Sequence, residues 1–382
     1  MRRPRMRPRK VCEPDSHALN DGDIPSTLCR VRAAPFAMSL VLAACASASS
    51  SSPGTGVSWP AADRLFHQDP RWLGADGAFS VDLGAGRVLW LFGDSFVGKA
   101  APWSRSDSVM VRNSVAIESG HDPTTAPMKF YWKNGPSSFH PEDGADWFWP
   151  MHGAMVGSSL VLFWSKVEAV TGGLGFQAVG WTAERIDDPA DPPSAWQPVE
   201  LKVPANQLGV SVGVSVRVEG GELYAFGERE PGNHDVFLLR WPTSAVAGGD
   251  LSSPEWFESG TWKPQASLAT APAPLFSGAP EFSVQPNPKG SGYIYVESTG
   301  FGATPISIRR ASALAGPWSP AEEVFRPPED DLPNVFVYAG KSHPEQEGAD
   351  LVVTYAANST DFATVVRDDS LYYPRFVKVT LR

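Results

Sequence analysis

From residue 57 onward, apolar and polar residues alternate in short runs, and no stretch sustains the 3.6-residue period of a helix. The clearest run predicts a β-hairpin. Phe79, Val81 and Leu83 share one face of its first arm, Leu89 and Leu91 return on the second, and Gly84-Ala85-Gly86 supplies the turn, where glycine relieves the steric cost of positive φ. Centring the turn on Ala85 places Asp76 opposite Asp94. Directly opposed side chains have Cβ atoms about 4.5–5.5 Å apart, and like charges so placed do not stabilise the ladder. One carboxyl of such a pair can stay protonated while the other ionises, the arrangement that acid–base chemistry uses. The plainer reading is two turn-capping carboxylates that never meet.

The same hairpin form recurs at His152, Gly213, Glu281 and Lys341, so that successive starts lie 60 to 76 residues apart. Further strands are expected at 109–118, 128–132, 236–241, 306–312 and 376–381. Each interval holds one four-stranded sheet, and repetition on this scale predicts an all-β, five-bladed β-propeller over residues 57–382. A β-sandwich with long insertions is the alternative. In a propeller the hairpin starts converge on one mouth of the axial channel, gathering Asp76, His152, Glu281 and His343, with the second-strand ends Asp94, Glu228, Glu297 and Asn358 on the same rim. Each of these is also readable as an ordinary rim residue. Trp147 and Trp149, just before the second hairpin, reach the same mouth as a stacking platform or pack between blades. His152 and His343 either flank a central ion or ligand or are core histidines with satisfied hydrogen bonds.

Composition narrows the classes. The 36 Pro, 35 Gly and 14 Trp in 382 residues suit a large turn-rich β protein with its own core. Residues 1–44 hold eight Lys/Arg and four acids; removing that surplus from the net charge of −10 leaves −14. So acidic a body lacks the basic footprint that nucleic acid requires. No His/Cys/Asp spacing argues for zinc, and no cofactor or metal is expected. The acidic loops Asp187-Asp188-Pro189-Ala190-Asp191 and Glu329-Asp330-Asp331 carry oxygen ligands of the kind calcium takes, but read first as solvated charge.

The start of the chain has its own pattern. Arg30-Val31-Arg32 precedes a short apolar run ending in Leu42-Ala43-Ala44-Cys45, the plan of a secretory signal and too short for a stable bilayer anchor. The last four residues resemble a bacterial lipobox, which implies lipidation of Cys45; an ordinary signal peptide is the alternative. The expected organisation is a signal region with a basic N-terminal extension over 1–45, a Ser-rich tether over 46–56 and the propeller thereafter. The expected location is the cell envelope, lipid-anchored or secreted. All three cysteines, Cys12, Cys29 and Cys45, precede the body, which therefore has neither disulfide nor thiolate metal site.

Three segments carry a family resemblance: Gly74-Ala75-Asp76-Gly77, Leu89-Trp90-Leu91-Phe92-Gly93-Asp94-Ser95-Phe96 and Asn113-Ser114-Val115-Ala116-Ile117. They are similar to the opening of bacterial five-bladed propellers long catalogued as a domain of unknown function, some of whose members are endo-D-arabinanases. Residues 338–344 and 353–358 resemble the last blade of that family. The resemblance implies a glycoside hydrolase acting on furanose-containing, arabinan-type polysaccharide with retention, carried by an aspartate pair that maps onto Asp76 and Asp94. We expect Asp94 as nucleophile, Asp76 as acid/base and Glu281 as the alternative acid. Asn113, Trp147, Trp149, His152, Glu228, Glu297, His343 and Asn358 are the candidate substrate contacts. The expected partner is a polysaccharide or oligosaccharide, the membrane is met only through the lipid anchor, and the protein is expected to be a monomer. A non-catalytic carbohydrate-binding lipoprotein, or an envelope protein with no ligand, are the other readings.

Overall fold

The computed structural model describes residues 55–230, 232–299 and 304–382. The signal region, Cys45 and most of the expected tether lie outside the described residues. Five antiparallel sheets form a five-bladed β-propeller. Their innermost strands are Trp72–Gly84, Trp147–Val156, Ser211–Glu219, Phe282–Pro286 and Val335–Ser342, and each begins a hairpin with the strand after it. No helix among the described residues is long and apolar enough to cross a membrane.

The first hairpin has the expected register through its arms. Phe79 lies opposite Leu91, Ser80 opposite Trp90 and Val81 opposite Leu89. Its turn has positive φ at both central residues, 52° at Ala85 and 72° at Gly86, which matches the twist of the flanking strands. The sequence did not show how the ring closes. Thr55–Ser58 pairs with Arg375–Thr380, so the earliest described strand becomes the outer strand of the fifth blade. The tether boundary expected at residue 56 is therefore corrected: Thr55 and Gly56 belong to the propeller.

Large aromatics fill the gaps between blades, with Trp72, Trp90, Trp164, Trp241 and Trp256 fully buried. At the axis, side chains of all five innermost strands join in a closed circuit of hydrogen bonds. His152 Nε2 donates to the Ser80 carbonyl at 2.9 Å, and its Nδ1 accepts from the Val216 amide at 2.9 Å. The Ser215 hydroxyl accepts from the Val284 amide at 2.9 Å, and the Ser283 hydroxyl from the Ser342 amide at 2.7 Å. His343 Nδ1 returns to the Ser80 hydroxyl at 2.6 Å, and its Nε2 meets Thr354 Oγ1 at 2.7 Å. Hydrogen bonding of this completeness removes the penalty of burying polar groups on the axis.

Candidate active site

The innermost strand of the first blade kinks before it reaches the mouth. Its ladder slips between Ala75 and Gly77 and again between Gly77 and Phe79, and φ is positive at Gly74, Gly77 and Ala78. Bulges of this kind re-aim a side chain. Asp76, inside the kink, turns its carboxylate toward the second strand, where Gly93 makes room for it. A Cβ at Gly93 would sit 2.5 Å from Asp76 Oδ1, so any other residue there would push the carboxylate out of this position. Asp94 follows directly.

The two carboxyls have different partners. Asp76 Oδ2 accepts from the Tyr338 hydroxyl at 2.7 Å and the Tyr372 hydroxyl at 3.3 Å. Asp94 Oδ1 accepts from Trp149 Nε1 at 3.0 Å, and Asp94 Oδ2 from Arg112 Nη1 at 3.2 Å. The Asp94 side chain keeps 16% of its surface exposed, so the pair is not sealed from solvent. Burial pushes the Asp76 carboxyl up to about 7, and the charges of Asp94 and Glu281 add to the effect, against the Tyr338 hydroxyl and Lys341. Burial also raises Asp94, opposed by the Trp149 and Arg112 hydrogen bonds and the Arg112 charge. Chemically, the site holds one carboxyl poised to carry a proton near neutral pH beside another whose anion has two donors waiting.

Other expected site residues have different places. Glu281 is a counter-ion: its Oε2 accepts from Lys341 Nζ at 2.5 Å, and that ammonium lies 4.2 Å from the Phe79 ring centroid. Trp147 is buried beneath Arg112, whose guanidinium carbon is 4.3 Å from its ring, so Trp149 alone of the two tryptophans meets a site carboxylate. Asn358 donates to the Tyr338 hydroxyl at 3.2 Å and so supports the group that holds Asp76. Asn113, Glu297, His152 and His343 are corrected from ligand contacts to structural groups. Asn113 is fully buried and ties the first blade to the Phe148 carbonyl at 2.9 Å and the His140 amide at 2.7 Å. Glu297 is fully buried against Arg309 at 3.1 Å. Both histidines are spent on the axial circuit, and burial drives them toward the neutral form, His152 down to about 4 and His343 well below its usual value. Glu228 is buried at the mouth end of its strand and faces Glu230 and His234.

Sequence reasoning missed Arg112, Tyr338, Tyr372 and Arg105. Arg105 has a fully buried guanidinium that donates to the carbonyls of Leu73, Val365, Asp368 and Leu371. It thereby fixes the segment that carries Tyr372. The only signals for these residues were Arg112 beside Asn113 and Tyr338 at the start of the segment 338–344 that resembles the family's last blade.

Buried carboxyls give the propeller a testable pH dependence. Burial raises Asp63 to about 6 and Asp76, Glu118, Glu228 and Glu345 to about 7. The unfolded chain releases these protons near pH 4, so the stabilisation is complete below that value and is lost as pH rises through each folded pKa. His152 and His343 act in the opposite sense, but only below their unfolded value of 6.5. Tm should therefore rise as pH is lowered from 8 to 6 in calorimetry. A Tm that falls over that interval would contradict these environments.

A family model described as "Domain of unknown function (DUF5005)" matches residues 61–381. The chain belongs to the DUF5005 family. No curated protein matches the sequence. Among solved structures, this DUF5005 chain resembles a candidate hydrolase from Bacteroides ovatus, with a TM-score of 0.66 and 18% identity over 85% of this chain and 90% of that one. The catalytic domain of the Coprinopsis cinerea GH62 α-L-arabinofuranosidase gives a TM-score of 0.47 at 11% identity, over 86% of this chain and 96% of that one. An endo-arabinase from Bacteroides thetaiotaomicron gives 0.46 at 12% identity, over 81% and 94%.

Proposed function

We propose that the mouth around Asp76 and Asp94 hydrolyses glycosidic bonds in a furanose-containing, arabinan-type polysaccharide, with retention of anomeric configuration. The observation that carries this reading is the division of environments within the pair: Asp76 is raised to about 7, while Asp94 is held by Trp149 and Arg112. Glycoside hydrolysis needs such a division, one carboxyl to protonate the leaving oxygen and one anion at the anomeric carbon. In the first step the Asp76 proton passes to the glycosidic oxygen as that bond to the anomeric carbon breaks. Asp94 forms an ester to the same carbon, and the shortened polymer leaves as an alcohol. In the second step Asp76 takes a proton from water, the hydroxyl oxygen bonds to the anomeric carbon, and Asp94 departs as the carboxylate. Retention needs the two carboxyls about 5–5.5 Å apart, a span compatible with adjacent strands of one hairpin. The sugar class follows the family resemblance carried by the first and last blades. The protein would work at the cell envelope, tethered through Cys45 or secreted.

The test is to incubate the purified chain with arabinan-type and other furanose polymers, assaying reducing ends and following the first product anomer by NMR. Release of reducing ends with the substrate's own anomeric configuration is expected. Binding with no release from any polymer would leave a carbohydrate-binding propeller, and an inverted first product would reject the roles given to the pair.

A further inference from the structure

The hairpin between the second and third strands of the third blade brings three ligating side chains to one point. Glu222–Arg229 pairs with Asp235–Pro242 so that Glu228 opposes Val236 and Arg229 opposes Asp235. The loop between them closes with Glu230 and His234 side by side. His234 holds an unfavourable φ of 50°, and its carbonyl accepts from the Gly278 amide at 2.9 Å, just beyond Phe276–Ser277, which pairs with Asp235–Pro242 in the same blade.

The distances within this group are longer than a well-formed hydrogen bond. His234 Nδ1 lies 3.5 Å from Glu228 Oε2 and 3.4 Å from Glu230 Oε1, whereas protein hydrogen bonds from nitrogen to oxygen span about 2.7–3.2 Å. They suit atoms sharing a cation. Ligand bonds of about 2.0–2.1 Å at a tetrahedral angle place neighbouring donors roughly 3.3 Å apart. Glu228 supplies an independent indication. It is only 4% exposed, and its Oε2, the atom aimed at His234, has no hydrogen-bond partner. An unpaired buried carboxylate oxygen is costly, and a bound cation would remove that cost. Glu230 and His234 keep 36% and 25% of their side chains exposed, so the far side of the group opens to solvent.

The geometry points to a divalent metal site formed by Glu228 Oε2, Glu230 Oε1 and His234 Nδ1 at the propeller mouth, with at least one coordination position left for water or a ligand. The imidazole nitrogen favours the borderline ion Zn²⁺ over Ca²⁺, which takes six to eight oxygen ligands, while the two carboxylates also suit Mn²⁺. The sequence spacing did not suggest this site, because Glu228 and His234 meet only across the hairpin. The inference does not rest on the proposed hydrolysis. The binding experiment needs no substrate.

The test is calorimetric titration of the full chain, treated with chelator and dialysed, with Zn²⁺, Mn²⁺ and Ca²⁺ in turn. Cys12, Cys29 and Cys45 are alkylated beforehand so that no thiolate competes. One equivalent of Zn²⁺ or Mn²⁺ should bind, and His234→Ala and the partly exposed Glu230→Gln should each weaken binding at least tenfold with Tm of the metal-free proteins near wild type. Absence of saturable binding would overturn the site and leave an imidazolium between two carboxylates. Wild-type affinity retained in either variant, or Ca²⁺ bound more tightly than Zn²⁺ and Mn²⁺, would equally overturn it.

Discussion

Asp94→Asn is expected to lower turnover of a furanose polysaccharide at least about a thousand-fold, because the amide cannot form the ester to the anomeric carbon. The fold should tolerate the change. Trp149 Nε1 and Arg112 Nη1 both donate to the Asp94 carboxylate, and the new amide keeps an oxygen for one of them. Asp76→Asn should differ in a way that identifies its role. Loss of general acid catalysis costs about 10²–10⁴-fold on a natural substrate, and much less on an aryl furanoside whose leaving group departs without a proton. The descending limb of the wild-type pH profile, expected near the Asp76 value of about 7, should disappear with it. The stability effect has the opposite sign to the activity effect. Asp76 is ionised above pH 7 against burial and the charges of Asp94 and Glu281, so a neutral amide there should raise Tm at pH 8. Steady-state rates on polymer and aryl furanoside, together with calorimetry at pH 8, check all of this. Equal losses of both variants on both substrates would contradict the division of roles.

Arg105→Met should be the most destabilising of the single changes considered, by about 3–5 kcal/mol. Truncation removes the guanidinium donor from four carbonyls, those of Leu73, Val365, Asp368 and Leu371, although Asp368 keeps the Leu371 amide at 3.1 Å. The guanidinium also lies 5.4 Å from the Phe96 ring centroid and 5.2 Å from that of Tyr373, so part of the loss is packing. The segment so released carries Tyr372, whose hydroxyl lies 3.3 Å from Asp76 Oδ2. Activity should therefore fall even at temperatures where the variant stays folded. Urea unfolding measures the first effect and kcat below Tm the second. A loss under about 1 kcal/mol would show that other groups hold this segment.

The fold was legible because its signals are local. Alternating Phe79, Val81 and Leu83 and a turn with two positive φ angles determine one hairpin, and hairpins recurring at four later positions, with turns of differing length, determine the blade count. Ring closure was not legible, since Thr55–Ser58 finds its partner at Arg375–Thr380, at the far end of the chain. The site divides in the same way. Asp76 and Asp94 sit on one hairpin and could be paired by register, although a bulge, not a straight ladder, aims Asp76. Their partners Tyr338 and Tyr372 lie 262 and 296 residues from Asp76. No periodicity links such positions. His152 and His343 were expected at blade starts; His152 instead lies midway along Trp147–Val156 and His343 just past the end of Val335–Ser342, and both do structural work, because at the axis their rings meet Ser80 and Val216 from other blades and Thr354 from the next strand. Glu297 was placed at the rim by its strand position and is instead turned inward to Arg309, a partner 12 residues on.

The most direct test is side-by-side measurement of reducing ends released from one arabinan-type substrate by the wild-type chain and by Asp94→Asn, with folding of both verified by calorimetry. The account predicts release by the wild type and none detectable from a folded variant. Equal release by both would place the chemistry somewhere other than the first hairpin.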